Sequence, residues 1–475
     1  MPRAAKQAKP SLPSNTLIVD NGAYNIKAGF APPDSSTEPT CRISPNCIAR
    51  ARDRRIWVGS QLDQCKDFGE MAFRRPVEKG FVVNWEGEKA IWDHEFLGND
   101  APLKCDPHDT ALVLTEAPNS PQALQTNCDQ MVFEEFEFAS YYRCLAPVLN
   151  AYNDIPALFG DPATTTSPVE SLLLIDTGYS HTTITPLHHG RPFHSAIRRL
   201  TVGGKFLTNH LKELISLRAY NFMDETHLVN EIKEDVCYIS ADFARDLERT
   251  WKGGALSSTT THKNKTSAAT DPSIVVDYVL PDYSERTRGF ARPHDPSATA
   301  KAKRLGTLAH ATGGGGGSGG GTPTTTTAAT PDMAASKTPE DLLPLGNERF
   351  AVPELLFHPS DIGLAEPGLP AAVMQSLQQL PEALWPGLLA NVVVVGGNAL
   401  LPGFVERLRK ELRAVVPGEY VVRVARPEDP VGATWRGGVR MVGERGEGLR
   451  GVAVMREEYM ENGAGWAARR FAGLV

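Results

Sequence analysis

The sequence lacks any CxxC pair. Its seven cysteines, Cys41, Cys47, Cys65, Cys105, Cys128, Cys144 and Cys237, are odd in number and show no zinc-ligand spacing. That usage fits a reducing compartment, the cytosol or the nucleus. No apolar run approaches the ~20 residues that a membrane helix needs. The first residues carry Arg3, Lys6 and Lys9 but no apolar stretch behind them, so they read as a disordered basic arm (1–14) and not as a secretory signal. Positive charge is not in excess either. The formal net charge is −7, which argues against wholesale non-specific DNA binding as the main activity.

What is present is a core. Hydrophobic residues make up 41% of a 475-residue chain, enough for two or three domains. One stretch, between about Leu280 and Leu345, breaks the composition. It holds the run Gly313–Gly321, interrupted only by Ser318, and then Thr324–Thr327. Such sequence buries too little apolar surface to offset its ordering entropy. Strand-like Ile274–Leu280 precedes it and ordered sequence resumes at Leu345, so it reads as a flexible insertion (283–344) inside a domain. Lengthening a turn to roughly 60 residues costs only about 2 kcal/mol.

Elsewhere short β-branched runs alternate with helical patterns, which predicts an α/β protein. Leu172–Ile175 and Val392–Val395 are apolar enough for buried central strands. Leu207, Leu211, Leu214 and Ile215 share one helical face. Leu228, Ile232, Val236 and Ile239 share another, behind a cap at Asp224, and Phe404, Leu408, Leu412 and Val415 a third.

Three glycine turns carry the chemistry. Thr16–Asp20 is an apolar strand that ends in an acid, followed by Asn21-Gly22-Ala23-Tyr24 and a second strand. Leu172–Asp176 repeats the plan before Thr177-Gly178-Tyr179, about 150 residues later. The third turn, Gly396-Gly397, follows a strand and precedes an amphipathic helix. Glycine-rich turns let backbone N–H groups approach phosphate oxygens. An aspartate on each of the first two, Asp20 and Asp176, can hold the water shell of Mg²⁺. Lys27 can reach a phosphate as a point charge. The Gly396-Gly397 turn offers a flat wall for a nucleotide. A lone Asp-x-Gly is usually an ordinary hairpin; two in matched context plus a Gly-Gly turn favour a nucleotide cleft.

These residues resemble the actin family, within the wider superfamily of actins, heat-shock chaperones and sugar kinases. Asp20–Phe30 is similar to actin's first phosphate loop and Asp176–Gly178 to its second. Thr115–Pro118 and Gln130–Glu134 look like the central strand and the helix with the catalytic glutamine. Gly204-Lys205, Lys233-Glu234 and Gly396-Gly397 look like the adenosine-side contacts, and Arg456–Tyr459 like the C-terminal helix. The resemblance implies a two-lobed actin-type fold, with 15–165 and 430–475 in the first lobe and 166–429 in the second. It implies contacts to ATP or ADP with Mg at Asp20, Asn21, Gly22, Lys27, Asp176, Thr177, Gly178, Gly204, Lys205, Lys233, Glu234, Gly396 and Gly397. Gln130 would be a water-orienting remnant. Asn25–Phe30, Pro45–Arg50, Phe73–Gly80 and Ser195–Gly204 look like the subfamily of actin-related protein six. That implies a nuclear subunit, with the cytoplasm as a second location, of an SWR-type remodelling complex. Such a complex exchanges nucleosomal histone for the Z-type variant of histone H-two-A. Its motor ATPase and a zinc-HIT protein would be partners, and nucleosomes indirect ones.

The departures from actin shape the functional expectation. Ala23 and Tyr24 stand where actin has serine and glycine, so one phosphate hydrogen bond is lost. Tyr24 would cost about 1–3 kcal/mol if its φ were positive. Micromolar binding is worth about 8 kcal/mol, so affinity falls without vanishing. Tyr179 replaces an acid, and Thr183 aligns with actin's histidine near the attacking water, with His181 two residues earlier. Those losses act on the transition state and predict binding with little or no hydrolysis. The segment 45–80 is shorter than actin's, which disfavours filaments. An active ATPase and a filament-forming cytoskeletal protein are the alternatives.

Smaller signals have plainer readings beside sharper ones. Arg50, Arg52, Arg54 and Arg55 make a solvated turn, or a contact to DNA phosphates or to an acidic partner. His188-His189 reads as a surface turn, and Trp85 and Trp92, behind an Asn84 cap, as core. Arg292 and Lys301–Arg304 of the insertion could touch chromatin.

Overall fold

The computed structural model describes residues 13, 15–32, 38–162, 166–218, 221–252, 274–295 and 340–472. The Gly/Thr tract, Lys301–Arg304 and nearly all of the expected arm 1–14 lie outside them.

Two six-stranded sheets organise the chain. In the first, the strand Asn15–Asn21 pairs antiparallel with Asn25–Phe30 and parallel with Thr110–Glu116, which pairs parallel with Ser140–Leu145. In the second, Ser171–Thr177 pairs antiparallel with Thr182–His188 and parallel with Val392–Val395, which pairs parallel with Val424–Ala425. The internal repeat therefore extends from the turns to the sheets. Each aspartate is the penultimate residue of its first strand. The apolar runs dictate this: Leu17–Val19, Leu172–Ile175 and Val392–Val395 are all buried, as strands covered on both faces should be.

The helices follow the hydrophobic periodicity. Gly204–Arg218 buries Leu207, Leu211 and Ile215. Thr226–Val236 buries Leu228, Ile232 and Val236, but its cap residue is Glu225, without a side-chain bond, and not Asp224. Ile239 lies past the helix end yet stays buried. Phe404–Val415 buries Phe404, Leu408 and Leu412, while its last residue, Val415, is exposed. Trp85–Trp92 is capped as expected: Gly87 N–H donates to Asn84 Oδ1 at 3.1 Å. Trp92 is core, edge-on to Trp85 and Phe96.

The C-terminal segment returns to the first lobe. The helix Ala433–Arg445 packs on Ala146–Asn150 and on the strand Asn15–Asn21, and Val454–Met455 pairs with Ser140–Leu145. The chain crosses between lobes near 150–170 and again near 429–433, where Asn150 Nδ2 donates to Thr434 Oγ1 at 3.0 Å and Asn153 Nδ2 to Ala433 O at 2.9 Å.

The expected insertion 283–344 needs correction at both ends. Val276–Val279, Phe290–Pro293 and Leu342–Leu345 form a three-stranded sheet. Asp282 Oδ1 accepts N–H groups from Ser284, Glu285 and Arg286, which turns the chain back. Arg286 and Arg292 then pair with Glu340 at 3.2 and 2.7 Å. Arg292 is thus committed to closing the base of this segment. In the segment 45–80, Ile48–Arg50, Ile56–Val58 and Ala72–Arg74 form a small sheet. The four arginines are exposed around its turn, where Arg54 has φ +70° and Arg52 pairs with Glu70 at 3.5 Å. His188 and His189 sit at a turn, His189 with φ +47°.

Candidate functional site

The two hairpin turns and the Gly396-Gly397 turn open on one cleft of about 630 Å³, within the range of small-molecule sites. In the first hairpin, antiparallel register sets Asp20 opposite Lys27. The two form an ion pair at 3.2 Å, and Thr115 Oγ1 donates to Asp20 Oδ1 at 2.8 Å. Gly22 is required at the turn: a Cβ there would lie 2.7 Å from Asn25 O and 2.9 Å from Lys27 Nζ. In the second hairpin, Asp176 lies opposite Thr183. Gly396, at φ +92°, lies against Thr177 and Asp176, whereas nothing lies within 4 Å of a Cβ on Gly397. Gly397 therefore presents the open wall.

Electrostatics at the second turn favour the neutral acid. Burial, then the nearby Asp20, push the Asp176 carboxyl up to about 6, and Lys27 offsets this in part. Asp176 prefers protonation more in the folded chain than in the unfolded one. Its contribution is full below its ordinary value near 3.8 and is lost as pH rises through about 6. At pH 7.5 the ionised carboxylate is therefore a local cost to the ligand-free fold, and a Mg²⁺ with its waters would relieve it. The replacement Asp176→Asn should raise Tm of the ligand-free protein at pH 7.5 by about 2–4 °C and reduce any shift that added Mg-nucleotide produces. Thermal melts with and without Mg-nucleotide check both; a lower Tm in the ligand-free variant contradicts this account.

Several expected contacts are already in use. Lys233 is buried, and its Nζ donates to Asn230 Oδ1 at 3.0 Å, Thr208 Oγ1 at 3.1 Å and Gly204 O at 3.4 Å. Burial pulls its pKa down. Glu234 lines the cleft and accepts from Asn230 Nδ2 at 2.7 Å. Gly204 N–H donates to Gly178 O and Lys205 N–H to Tyr179 O, so these two amides brace the second turn. Lys205 is exposed and does not line the cleft. Thr177 does not line it either. It is fully buried, with its Oγ1 3.0 Å from Thr182 Oγ1 and 3.1 Å from Asn398 Nδ2. Gln130 is exposed and off the cleft. Leu124 and Cys128 of its helix face inward, and two residues past Cys128 is about 200° round the helix. Asp20, Asn21, Gly22, Lys27, Asp176, Gly178, Gly204, Lys233, Glu234, Gly396 and Gly397 are brought together on the lining.

Sequence reasoning missed what the tyrosines do. Tyr24 keeps a negative φ, so the strain weighed for it is absent. Its ring meets Tyr179 of the opposite turn, centroids 4.7 Å apart. The Arg75 guanidinium lies over both, 4.1 Å from Tyr24 and 5.2 Å from Tyr179. Arg75 Nη1 donates to Tyr24 O at 2.9 Å, and Asn230 Nδ2 donates to Tyr24 Oη at 3.1 Å. Asn398 was missed too: its Nδ2 donates to Gly178 O at 3.0 Å, tying the third turn to the second. Its place directly after the Gly-Gly pair is the only signal for it in the sequence.

The chain's sequence has counterparts among known proteins. A family model described as Actin matches residues 11–472. Actin-related protein 6 of Neurospora crassa is 50% identical over 471 residues, 99% of this chain and 97% of that protein. Actin-like protein arp6 of Aspergillus fumigatus is 48% identical over 497 residues, 100% of this chain and 99% of that protein. Actin-related protein 6 of Drosophila melanogaster is 35% identical over 425 residues, 89% of this chain and 91% of that protein. A duplicated hairpin sheet around a shared cleft, matched by a family model along nearly its whole length, places this chain in the actin family.

Proposed function

We propose that this chain is a non-catalytic structural subunit of a nuclear SWR-type chromatin-remodelling complex, in which a separate motor ATPase drives histone exchange. The observation that carries the non-catalytic part is the Tyr24–Tyr179 contact. It stands where an acid and a glycine would serve phosphate and metal, and it joins the two lobes instead. Thr183, on the cleft lining, has no imidazole to act on an attacking water. The place in the complex rests on the resemblance of Pro45–Arg50, Phe73–Gly80 and Ser195–Gly204 to the actin-related protein six subfamily. Full-length similarity to relatives that carry that name supports it.

ATP or ADP with Mg fits the cleft. Gly397 leaves an open wall, and His181 Nδ1 is a buried polar atom without a partner on the lining. When bound, Mg²⁺ would neutralise phosphate charge and the carboxylates of Asp20 and Asp176. Gly22 and Gly178 would let backbone come close to phosphate, Lys27 balances Asp20, and Glu234, on the lining, would accept from a ligand hydroxyl. Burial, then Arg199, hold His181 down to about 3, so it is neutral at working pH and is not a proton donor. These residues bind and orient; none is placed to drive cleavage.

The test is affinity purification of the tagged full chain from its own cells, followed by mass spectrometry. A remodeller motor, a zinc-HIT protein and variant histone are the expected companions. Cytoskeletal proteins alone would overturn the proposal.

A further inference from the structure

The edge of the cleft away from the chain crossings is bridged along its length. At its centre stands the Tyr24–Tyr179 contact under Arg75, with Tyr24 also bonded to Asn230. To one side, Arg199 of the second lobe donates to Lys79 O, and its guanidinium lies 5.0 Å from the Phe81 ring centroid. Gly80 lies so close to His181 that a Cβ there would sit 2.4 Å from the imidazole. To the other side, His227 stacks on Phe68 at 4.4 Å and on Phe73 at 5.4 Å. Each contact joins a first-lobe residue of 24 or 68–81 to the second lobe. None lies at the crossings near 150–170 and 429–433, so a hinge opening there must break them.

From this geometry we infer that Tyr24, Tyr179 and Arg75 form a latch that makes nucleotide exchange slow, so that the ligand serves as a retained structural cofactor. The inference rests on the proposed reading of the cleft as a nucleotide site. Its chemistry is suited to permanence. Two rings in tilted contact under a guanidinium hold without a carboxylate partner, so salt should screen the latch little. Arg75 is anchored by backbone carbonyls of Tyr24 and Asn46, at 2.9 and 3.3 Å, and needs no ligand phosphate to stay in place. A turn that carried only glycine and an acid at positions 24 and 179 would lack this bridge and would depend on the ligand to hold the lobes together.

The test loads the full-length protein with a fluorescent ADP analogue and chases it with excess unlabelled ADP in Mg buffer. Wild-type release should take on the order of hours. Arg75→Ala and Tyr179→Ala should each release about 10- to 100-fold faster, as expected when cation–ring and ring–ring contacts are lost. Tyr179→Phe keeps the ring but loses the hydroxyl's bond to Arg75, so it should release only about 2- to 5-fold faster than wild type, well short of the alanine variants, which separates loss of the latch from loss of fold. Wild-type exchange within seconds overturns the latch alone, as do alanine variants that release at the wild-type rate. No binding of either ADP or ATP by folded wild-type protein overturns the nucleotide reading as well.

Discussion

Trp435→Ala is expected to destabilise the first lobe by about 3–5 kcal/mol, the usual range for removing a buried tryptophan. Trp435 is 1% exposed, and its Nε1 donates to Ile18 O at 3.1 Å. Its ring lies so close to Gly29 that a Cβ there would be 2.6 Å from Cζ2. Ile18 and Gly29 sit opposite each other in the first hairpin. The indole therefore clamps the helix Ala433–Arg445 to the strands that carry Asp20 and Lys27. Against a total stability of roughly 5–15 kcal/mol, this loss should lower Tm by about 10 °C or more. Trp435→Phe, which keeps a ring but not the N–H, should fall in between. A thermal melt of each variant checks this; a shift under about 3 °C for Trp435→Ala would mean that the helix does not support the hairpin.

Gly396→Ala is expected to cost about 3 kcal/mol or more, for two additive reasons. At φ +92° any side chain is strained, and the new Cβ would lie 2.4 Å from Thr177 O and 2.9 Å from Asp176 Oδ1. Thr177 cannot yield easily, because it is fully buried and braced by Asn398 and Thr182. The neighbouring Gly397→Ala makes the contrast. A methyl there meets nothing within 4 Å, so stability should hold while nucleotide affinity falls several-fold. Melting curves and nucleotide titrations on the pair check the split. Equal stability of the two variants would contradict the geometry.

The sequence showed most of the frame. Strands as apolar as Leu172–Ile175 and Val392–Val395 have nowhere to go but the centre of a sheet, and the Asp-x-Gly repeat marked where the two hairpins turn. The pairing of Asp20 with Lys27 is also within reach of the sequence, since turn length fixes hairpin register, although a lysine beside a glycine turn points first to a phosphate. Local pattern failed wherever a residue's partner is distant in the chain. Tyr24 and Tyr179 read as losses from an active site, because nothing in either neighbourhood reveals that the rings meet across the cleft. Lys233 looked like a ligand contact, yet burial commits it to Asn230, Thr208 and Gly204. The short strands Phe290–Pro293 and Leu342–Leu345 escaped notice because low-complexity sequence between them hides an antiparallel partnership through Val276–Val279.

On the proposed reading, the cleft holds nucleotide and does not spend it. The most direct measurement is phosphate release from saturating Mg-ATP by the purified full chain, with bound nucleotide quantified in the same sample. Bound nucleotide with no sustained release above the protein-free background is the predicted result. Sustained multiple turnover that Asp176→Asn abolishes would contradict it.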